Sequence, residues 1–271
     1  MNDSLNRQET GGGELAGRLI RESAEIAARE PLLRNLLRRR IGETQDLPAI
    51  LSRMLAAELE QTEMPYRVLL HLFRTLFSQH SELERYAIAD IDAVLRRDPA
   101  TRSPLAVVLD HKGFTSLLCH RAIHSLWNAG RTELARGLQS VVARKLAVDI
   151  HPACRIGIGV MLDHASGIVI GETATVGDNV SIMQAVTLGG TGKDAGDRHP
   201  KVGDGVLLGA GAILLGAITI GRNARIGAGS VVLVDVPAYA TAVGIPATIR
   251  KGNPPTHQQV AAPAESMTQC W

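Results

Sequence analysis

Between residue 14 and about residue 147, apolar residues recur three and four positions apart, as in "LLRNLLRRRI" and "MPYRVLLHLFRTLF". That spacing places them along one face of an α-helix. The segment "YAIADIDAVLRRDP" is predicted to end its helix at Asp98-Pro99, because the residue before a proline disfavours helical geometry. The pattern predicts an antiparallel α-helical domain over residues 1–147, with residues 1–13 disordered. Prolines stand where several first turns would begin, a place that tolerates a missing N–H: Pro31, Pro48, Pro65 and Pro104.

From Asp149 onward the apolar pattern changes to a period of six residues in a glycine-rich segment. A small or apolar residue also follows four positions after each repeated aliphatic residue, beginning with Cys154, Val160 and Ser166. The aliphatic positions form three runs: Ile150, Ile156 and Leu162; Ile170, Val176, Ile182 and Leu188; and Val202, Leu208, Leu214, Ile220, Ile226 and Val232.

A six-residue repeat of this kind is typical of a short strand and a turn that bury their apolar side only against neighbouring repeats. The density of glycine argues against helical repeats. We therefore expect residues 148–250 to form stacked coils of strands around one continuous core. Leu162, Cys154 and Ser166 are all expected to face that core.

Two irregularities interrupt the repeat. Its phase slips by two residues between Ile168 and Ile170, just after "DHASG", and an inserted loop, "GGTGKDAGDRHPK", spans residues 189–201. Loops carried on a rigid scaffold often hold functional residues. Residues 251–271, rich in Pro, Gln and Ala, are predicted to be a flexible C-terminal tail.

Composition narrows the possible functions of the 271-residue chain. A formal net charge of +2 and only 3% aromatic residues give no strong field or stacking surface for nucleic acid. No apolar run approaches the ~20 residues of a membrane span, and the N-terminus has no secretory signal. Cys119, Cys154 and Cys270 form no paired framework, which fits a reducing compartment. We predict a cytoplasmic protein with no membrane or nucleic-acid partner.

The candidate chemistry lies at the two irregularities. His164 has a carboxylate candidate in Asp149, fifteen residues earlier and less than one coil away if three repeats make a coil. A carboxylate that orients an imidazole supports a general base. A second cluster, Arg198-His199-Pro200-Lys201, stands at the end of the inserted loop, and its arginine could bind a carboxylate with a two-pronged hydrogen bond. The same loop does not match a phosphate-binding P-loop, because residues 187 and 194 are Thr and Asp.

Metal binding is the alternative for these histidines. Three imidazoles can hold a catalytic zinc, and the repeat region carries His151, His164 and His199. Cys119, His120 and His124 form a second group, for which a plain helix face is the simpler explanation. We predict no metal site and no permanently bound cofactor.

Long segments between about residues 80 and 250 resemble bacterial serine acetyltransferase, an enzyme of cysteine biosynthesis. They include "DIDAVLRRDPA", "HKGF", "SLWNAGR", "VDIHPACRIG", "MLDHASGIVIGETA", "SIMQAVTLGGTGKDAGDRHPK", "IGAGSVV" and "GIPA". The resemblance implies a helical N-terminal domain followed by a left-handed parallel β-helix of hexapeptide repeats. It also implies a homohexamer of two trimers, with active sites between neighbouring β-helices.

By the same resemblance, acetyl-CoA is the co-substrate and L-serine the acceptor, in a direct transfer without an acyl-enzyme. His164 would be the general base and Asp149 would orient it. Asp98 and Asp163 would bind the amino group of serine. Arg198 would pair with its carboxylate, and His199 would help to position it. Acetyl-CoA would contact Gly190, Ala210, Ala228 and Arg225, and Arg225 stands where the family often has lysine.

The resemblance further implies feedback inhibition by L-cysteine and a complex with O-acetylserine sulfhydrylase through the C-terminal peptide. In the family that peptide commonly ends in isoleucine, whereas this chain ends in Trp271. Two other functions stay open at this point. One is another hexapeptide O-acyltransferase that acts on a sugar or antibiotic hydroxyl, and the other is a three-histidine zinc lyase on the same β-helix.

Overall fold

The computed structural model describes residues 11–192 and 195–252. The predictions for residues 1–10, for most of the tail and for its terminal peptide therefore lie outside the described residues. Gly12 and Gly13, which we expected to be disordered, form the first turn of a helix instead.

The N-terminal part consists of helices joined by short connections. A 3-10 turn at Pro31–Leu33 separates the first two of them. The helices are α1 (Gly12–Arg29), α2 (Arg34–Arg40), α3 (Leu47–Leu59), α4 (Tyr66–Gln79), α5 (Glu82–Arg97), α6 (Pro104–Asp110), α7 (Lys112–Asn128) and α8 (Thr132–Leu146).

Local sequence signals account for several helix ends. The side chain of Asp46 accepts a hydrogen bond from the Ala49 N–H at the start of α3, and Ser103 caps α6 in the same way. Pro104 occupies the first position of α6, as predicted. Helix α5 ends at Arg97, directly before Asp98-Pro99, which confirms that boundary.

The strands that follow are two or three residues long. They are β1 (Val148–Ile150), β2 (Arg155–Ile156), β3 (Met161–Leu162), β4 (Ile168–Ile170), β5 (Thr175–Val176), β6 (Ser181–Ile182), β7 (Thr187–Gly189), β8 (Lys201–Val202), β9 (Leu207–Leu208), β10 (Ile213–Leu215), β11 (Thr219–Ile220), β12 (Arg225–Ile226), β13 (Val231–Val232), β14 (Thr241–Val243) and β15 (Thr248–Arg250).

These strands form three sheets of a parallel β-helix. Sheet 1 has the order β1-β4-β7-β10-β13, sheet 2 has β2-β5-β8-β11, and sheet 3 has β3-β6-β9-β12-β14-β15. All pairs are parallel except the last, β14 with β15. The chain passes through one strand of each sheet in every coil, so residues at equivalent positions stack along the axis.

The register of the sheets shows where the coils are lengthened. Leu214 pairs with Val232 eighteen residues later, which is three hexapeptides. Ile150 pairs with Ile170 across a coil of twenty residues, and Val176 pairs with Val202 across twenty-six. The two longer intervals contain the "DHASG" irregularity and the inserted loop.

The core of the β-helix follows the predicted phase except at Ser166, although Ile156 is only partly buried against it. The aliphatic residues Leu162, Ile170 and Leu188 are buried, as is Cys154. Ser166, however, is exposed, and Ala165 is buried in its place. The prediction for Ser166 was wrong because the two extra residues form a tight turn of their own, in which His164, Ala165 and Gly167 all have positive φ.

The helical part packs directly against the first coils of the β-helix. Arg121 of α7 pairs with the buried carboxylate of Asp90 on α5, and it also donates to the carbonyls of Ile156 and Gly157. Asp90 in turn accepts from the Val160 N–H.

Within the described part of the chain, no helix is long and apolar enough to cross a membrane.

Candidate active site

His164 lies on the corner of the β-helix where sheet 3 leads into sheet 1, which we call the His164 corner (residues 163–167 and their counterparts in later coils). Its φ is 54°, in the left-handed region that few residues other than glycine adopt. Two backbone bonds fix the turn, from the Asp163 N–H to the Ile182 carbonyl (2.8 Å) and from the Gly167 N–H to the Ala147 carbonyl (2.7 Å). The imidazole itself is 76% exposed. The backbone is therefore held in place while the side chain stays accessible.

Ala210 and Ala228 lie on the same corner as His164, two and three coils further along. The Gly211 N–H donates to the Gln184 carbonyl, and the Gly229 N–H donates to the Ala210 carbonyl, so these turns stack. Arg225 lies three residues before Ala228, in β12 of sheet 3. The structure thus aligns the predicted base with the residues predicted to contact acetyl-CoA.

Asp149 lies in β1, and its nearest polar partner comes from the helical part. The side-chain amide of Gln139 on α8 donates to Asp149 Oδ1 at 2.7 Å. No hydrogen bond or ion pair joins Asp149 to His164 among the described residues. The two residues are nevertheless close along the fold, because Ala147, two residues before Asp149, is bonded to the turn that carries His164.

Asp98 and Asp163 approach the β-helix from different elements. Asp98 caps the end of α5, where it accepts from the Ala100 N–H (2.8 Å) and the Thr101 hydroxyl (2.5 Å). Its neighbour Arg97 is buried and donates to the Val180 carbonyl (3.3 Å) at the edge of sheet 3. Asp163 follows β3 of that sheet, with Oδ1 3.9 Å from His164 Nε2. Asp98 Oδ2 is also 3.5 Å from His111 Nε2, and the next residue, Lys112, donates to Ser166 in the turn of His164. Both carboxylates therefore lie on the sheet 3 side of the His164 corner.

Arg198 lies on a second corner, where sheet 1 leads into sheet 2, which we call the Arg198 corner (residues 171–174, 190–192 and 195–200). Its guanidinium donates to Glu172 at 2.7 Å and to the carbonyls of Ala195 and Gly196. The hydrogen bond from Arg198 is the main reason that the pKa of Glu172 is lowered. The arginine is thus held as part of a network rather than free in solvent.

His199 is buried on the same corner and packs across Gly171, where any Cβ would overlap its ring. The Thr173 N–H donates to His199 Nδ1 at 3.2 Å, so that nitrogen is an acceptor and the neutral ring carries its proton on Nε2. Burial, then the positive charge of Arg198, lowers the pKa of His199. The ring is therefore a neutral hydrogen-bond donor.

Gly190 begins the inserted loop at this corner. A Cβ there would lie 3.3 Å from the Arg198 carbonyl oxygen, so glycine lets the start and the end of the loop approach closely. Among the described residues, the Gly190 N–H has no hydrogen-bond acceptor.

The predicted site residues therefore divide into two groups within one chain. His164, Asp163, Ala210 and Ala228 are on the His164 corner, whereas Arg198, His199 and Gly190 are on the Arg198 corner. Sheet 1 separates the two corners. A single chain does not bring the predicted base and the predicted carboxylate-binding group together.

The histidines considered as metal ligands are also separated. His151 packs edge-to-face against Trp127, with ring centroids 5.2 Å apart, and its Nδ1 accepts from the Ala153 N–H. His120 is buried and contacts the Cys154 carbonyl. Within residues 11–192 and 195–252, no three His, Cys, Asp or Glu side chains are grouped as metal ligands.

Sequence reasoning missed Glu172 and Thr173, although a signal for them exists. The inserted loop lengthens its coil to twenty-six residues, so residue n stacks on residue n + 26. That offset relates Glu172 to Arg198 and Thr173 to His199, which are the contacts observed. Gln139 was also missed, because nothing in the repeat pattern relates α8 to β1.

Two family models match the chain. "Serine acetyltransferase, N-terminal" matches residues 17–119, and "Bacterial transferase hexapeptide (six repeats)" matches residues 199–233. The serine acetyltransferase of Salmonella typhimurium is 48% identical over 228 residues, which are 84% of this chain and 84% of that protein.

Solved serine acetyltransferases have the same fold. One in complex with cysteine superposes with a TM-score of 0.89 at 43% identity, covering 96% of this chain and 99% of its own. The soybean enzyme complexed with serine gives 0.86 at 48%, covering 88% and 98%. A complex with CoA gives 0.83 at 43%, covering 88% and 99%. These matches confirm the predicted helical domain followed by a left-handed parallel β-helix.

Proposed function

The chain belongs to the serine acetyltransferase family, and from this we propose that it transfers the acetyl group of acetyl-CoA to the hydroxyl of L-serine. The products are O-acetyl-L-serine and CoA. The observation that carries the proposal is His164, a histidine whose backbone is fixed in a left-handed turn while its imidazole is 76% exposed. Three relatives of the same fold were solved with serine, cysteine and CoA, which supports the choice of substrates.

In the proposed reaction the His164 imidazole takes the proton of the serine hydroxyl as the oxygen attacks the thioester carbon. Imidazole is suited to this step because its usual pKa lies near neutral pH. The tetrahedral intermediate collapses with loss of the CoA thiolate, which recovers the proton from His164. Asp149 supports the step by stabilising the imidazolium that forms. The base then returns to its starting state without an acyl-enzyme.

The serine zwitterion requires groups of both charges. We assign its ammonium to Asp98 and Asp163, the two carboxylates on the sheet 3 side of the His164 corner. Its carboxylate is assigned to Arg198, with His199 Nε2–H as a second donor. Because Glu172 already orients the guanidinium, binding requires little loss of side-chain entropy.

Acetyl-CoA is proposed to lie along the His164 corner. Ala210 and Ala228 offer small residues and backbone groups in successive turns, and Arg225 offers a positive charge for a phosphate. The Gly190 N–H, which has no acceptor among the described residues, is the proposed donor to the thioester oxyanion. CoA enters as a co-substrate rather than a resident cofactor.

We propose that the site is completed between neighbouring chains of a trimer. Sheet 1 separates the two corners within one chain, but its outer face carries the exposed apolar residues Val169 and Ile213. A second chain packed on that face would bring its own corner towards the first. Leu32 and Val68, 94% and 60% exposed on the helical part, support a second interface that would join trimers into a hexamer.

The proposal extends to regulation and partners. L-Cysteine differs from L-serine in one atom, and a relative was solved with it, so we propose that cysteine competes for the serine site. The complex with O-acetylserine sulfhydrylase stays a prediction, because the C-terminal peptide lies outside the described residues. The cytoplasmic location also stays a prediction.

The test is an assay of thiol release from acetyl-CoA with L-serine, L-homoserine or a sugar as acceptor. The proposal expects turnover that depends on L-serine and falls sharply with either alternative. Preference for a sugar would instead favour another hexapeptide O-acyltransferase. Equal release without any acceptor would contradict an acetyl transfer to serine.

A further inference from the structure

Gln139 is a polar residue of the helical domain that no step of the proposed reaction uses. Its side-chain nitrogen donates to Asp149 Oδ1 at 2.7 Å. An ionised carboxylate only accepts hydrogen bonds, so the amide nitrogen rather than its oxygen faces Asp149. The bond leaves Oδ2 of Asp149 available to a second donor.

The junction between the two domains explains why this contact forms. Ala147 has a φ of 53°, and this left-handed residue ends α8 and turns the chain so that β1 runs back along the helix. Asp149 thereby comes beside Gln139, ten residues earlier in the chain. The Ala147 carbonyl also accepts from the Gly167 N–H in the turn of His164. One junction therefore fixes both the carboxylate and the turn of the proposed base.

A carboxylate held by a single strand residue turns easily about its last bond, since that torsion has broad minima. A short, charge-assisted hydrogen bond from Gln139 restricts this rotation. From these contacts we propose that Gln139 is a positioning residue, which acts on the transfer only by setting the carboxylate plane of Asp149 for His164. The inference rests on the proposed function and deepens it, because it assigns part of the active site to the helical domain.

The direct test replaces Gln139 in the full-length protein. Gln139→Met keeps the length of the side chain and removes the donor, and it avoids enlarging a cavity of about 10 Å³ that Gln139 borders. We expect kcat to fall about tenfold, since a hydrogen bond to a charged group has roughly that value, while KM for both substrates stays within about twofold. Gln79→Met, the same change at an exposed position of α4, is the matched control and should leave kcat unchanged.

Two further readouts separate positioning from a general structural role. An oriented carboxylate stabilises the imidazolium, so Gln139→Met should move the acidic limb of the kcat/KM profile to lower pH. Gln139→Glu should be impaired near neutral pH, where it repels Asp149. Its activity relative to the unmodified protein should rise as the pH falls, because protonated Glu becomes a donor. The activity of Gln139→Met relative to the unmodified protein should show no such rise.

A double-mutant comparison decides whether Gln139 acts through Asp149. In an Asp149→Asn background, Gln139→Met should change kcat by less than about twofold, since residues that act as a unit are not additive. The inference is overturned if Gln139→Met alone stays within about twofold of the unmodified protein, or if the two effects multiply in full. Near-normal turnover of both His164→Ala and Asp149→Asn would instead remove the proposed function of those residues, and with it this inference.

Discussion

At the His164 corner the imidazole stands 76% exposed, and Asp163 is the carboxylate within 4 Å of it among the described residues. At the Arg198 corner the polar groups are already paired, the guanidinium with Glu172 and the buried His199 ring with Thr173. One corner thus presents a group that can take up and release a proton. The other presents donors in a fixed arrangement, suited to binding rather than to proton transfer.

The histidines of the molecule show the same division. Burial lowers the pKa of His199 and of His151, both at turns that lead into sheet 2. Burial also lowers the pKa of His120 to about 3. This ring contacts the Cys154 carbonyl at one of those turns. These rings are kept neutral by their surroundings. His164 is the most accessible of these four rings, in keeping with its proposed role as the base.

The largest expected effect comes from removing that base. His164→Ala should lower kcat by roughly 10²–10⁴, the usual contribution of a general base. Folding should be unaffected, because the side chain is exposed. Thiol release from acetyl-CoA measures the rate, and circular dichroism checks the fold. Near-normal turnover in a folded variant would show that the exposed corner does not supply the base.

Removal of the paired arginine should act on binding instead. Arg198→Ala is expected to raise KM for L-serine by roughly 10- to 100-fold, because a bidentate partner of the carboxylate is lost. KM for acetyl-CoA should change little. Initial rates with each substrate varied separately give the two constants. An effect confined to acetyl-CoA would contradict the assignment of this corner.

The smallest expected effect is on stability rather than on catalysis. His120 is neutral in the fold with a pKa of about 3, whereas an unfolded histidine has a pKa near 6.5. The neutral His120 ring therefore makes its full contribution to the free energy of unfolding above pH 6.5. That contribution is lost as the pH falls towards 3, and at pH 5 the free energy of unfolding is lower by about 2 kcal/mol.

His120→Leu removes this titration, so its unfolding free energy should fall less between pH 7 and pH 5 than that of the unmodified protein. Urea titrations at the two pH values measure the difference. His71→Leu, on the exposed side of α4, is the control and should keep the original pH dependence. An unchanged pH dependence in His120→Leu would mean that the buried ring is not the group responsible.

The β-helix could be predicted residue by residue, because each hexapeptide repeats the same physical requirement. Leu162, Cys154 and Val160 are buried where the phase places them. The phase failed at Ser166, since a turn with three residues at positive φ replaces the regular corner. The pairing of Glu172 with Arg198 can be predicted from the length of their coil. That prediction requires the inserted residues to be added to the eighteen-residue repeat.

The contribution of the helical domain could not be read in the same way. The Asp98-Pro99 signal locates the end of α5, but the position of Asp98 depends on Arg97 reaching the Val180 carbonyl, and that of Gln139 depends on the left-handed Ala147. These are single contacts between distant segments, with no repeat behind them. Helix spacing in a sequence carries no information on them.

The two corners are proposed to form one active site only between neighbouring chains. The test is to assemble the His164→Ala and Arg198→Ala chains together. Each variant is impaired alone, and the assay uses a serine concentration at which both are nearly inactive. In a trimer mixed at equal ratio, about a quarter of the interfaces would pair an intact His164 corner with an intact Arg198 corner. We expect recovery of about a quarter of the unmodified activity. Mixed assemblies no more active than the sum of the two variants would show that each chain builds its site alone.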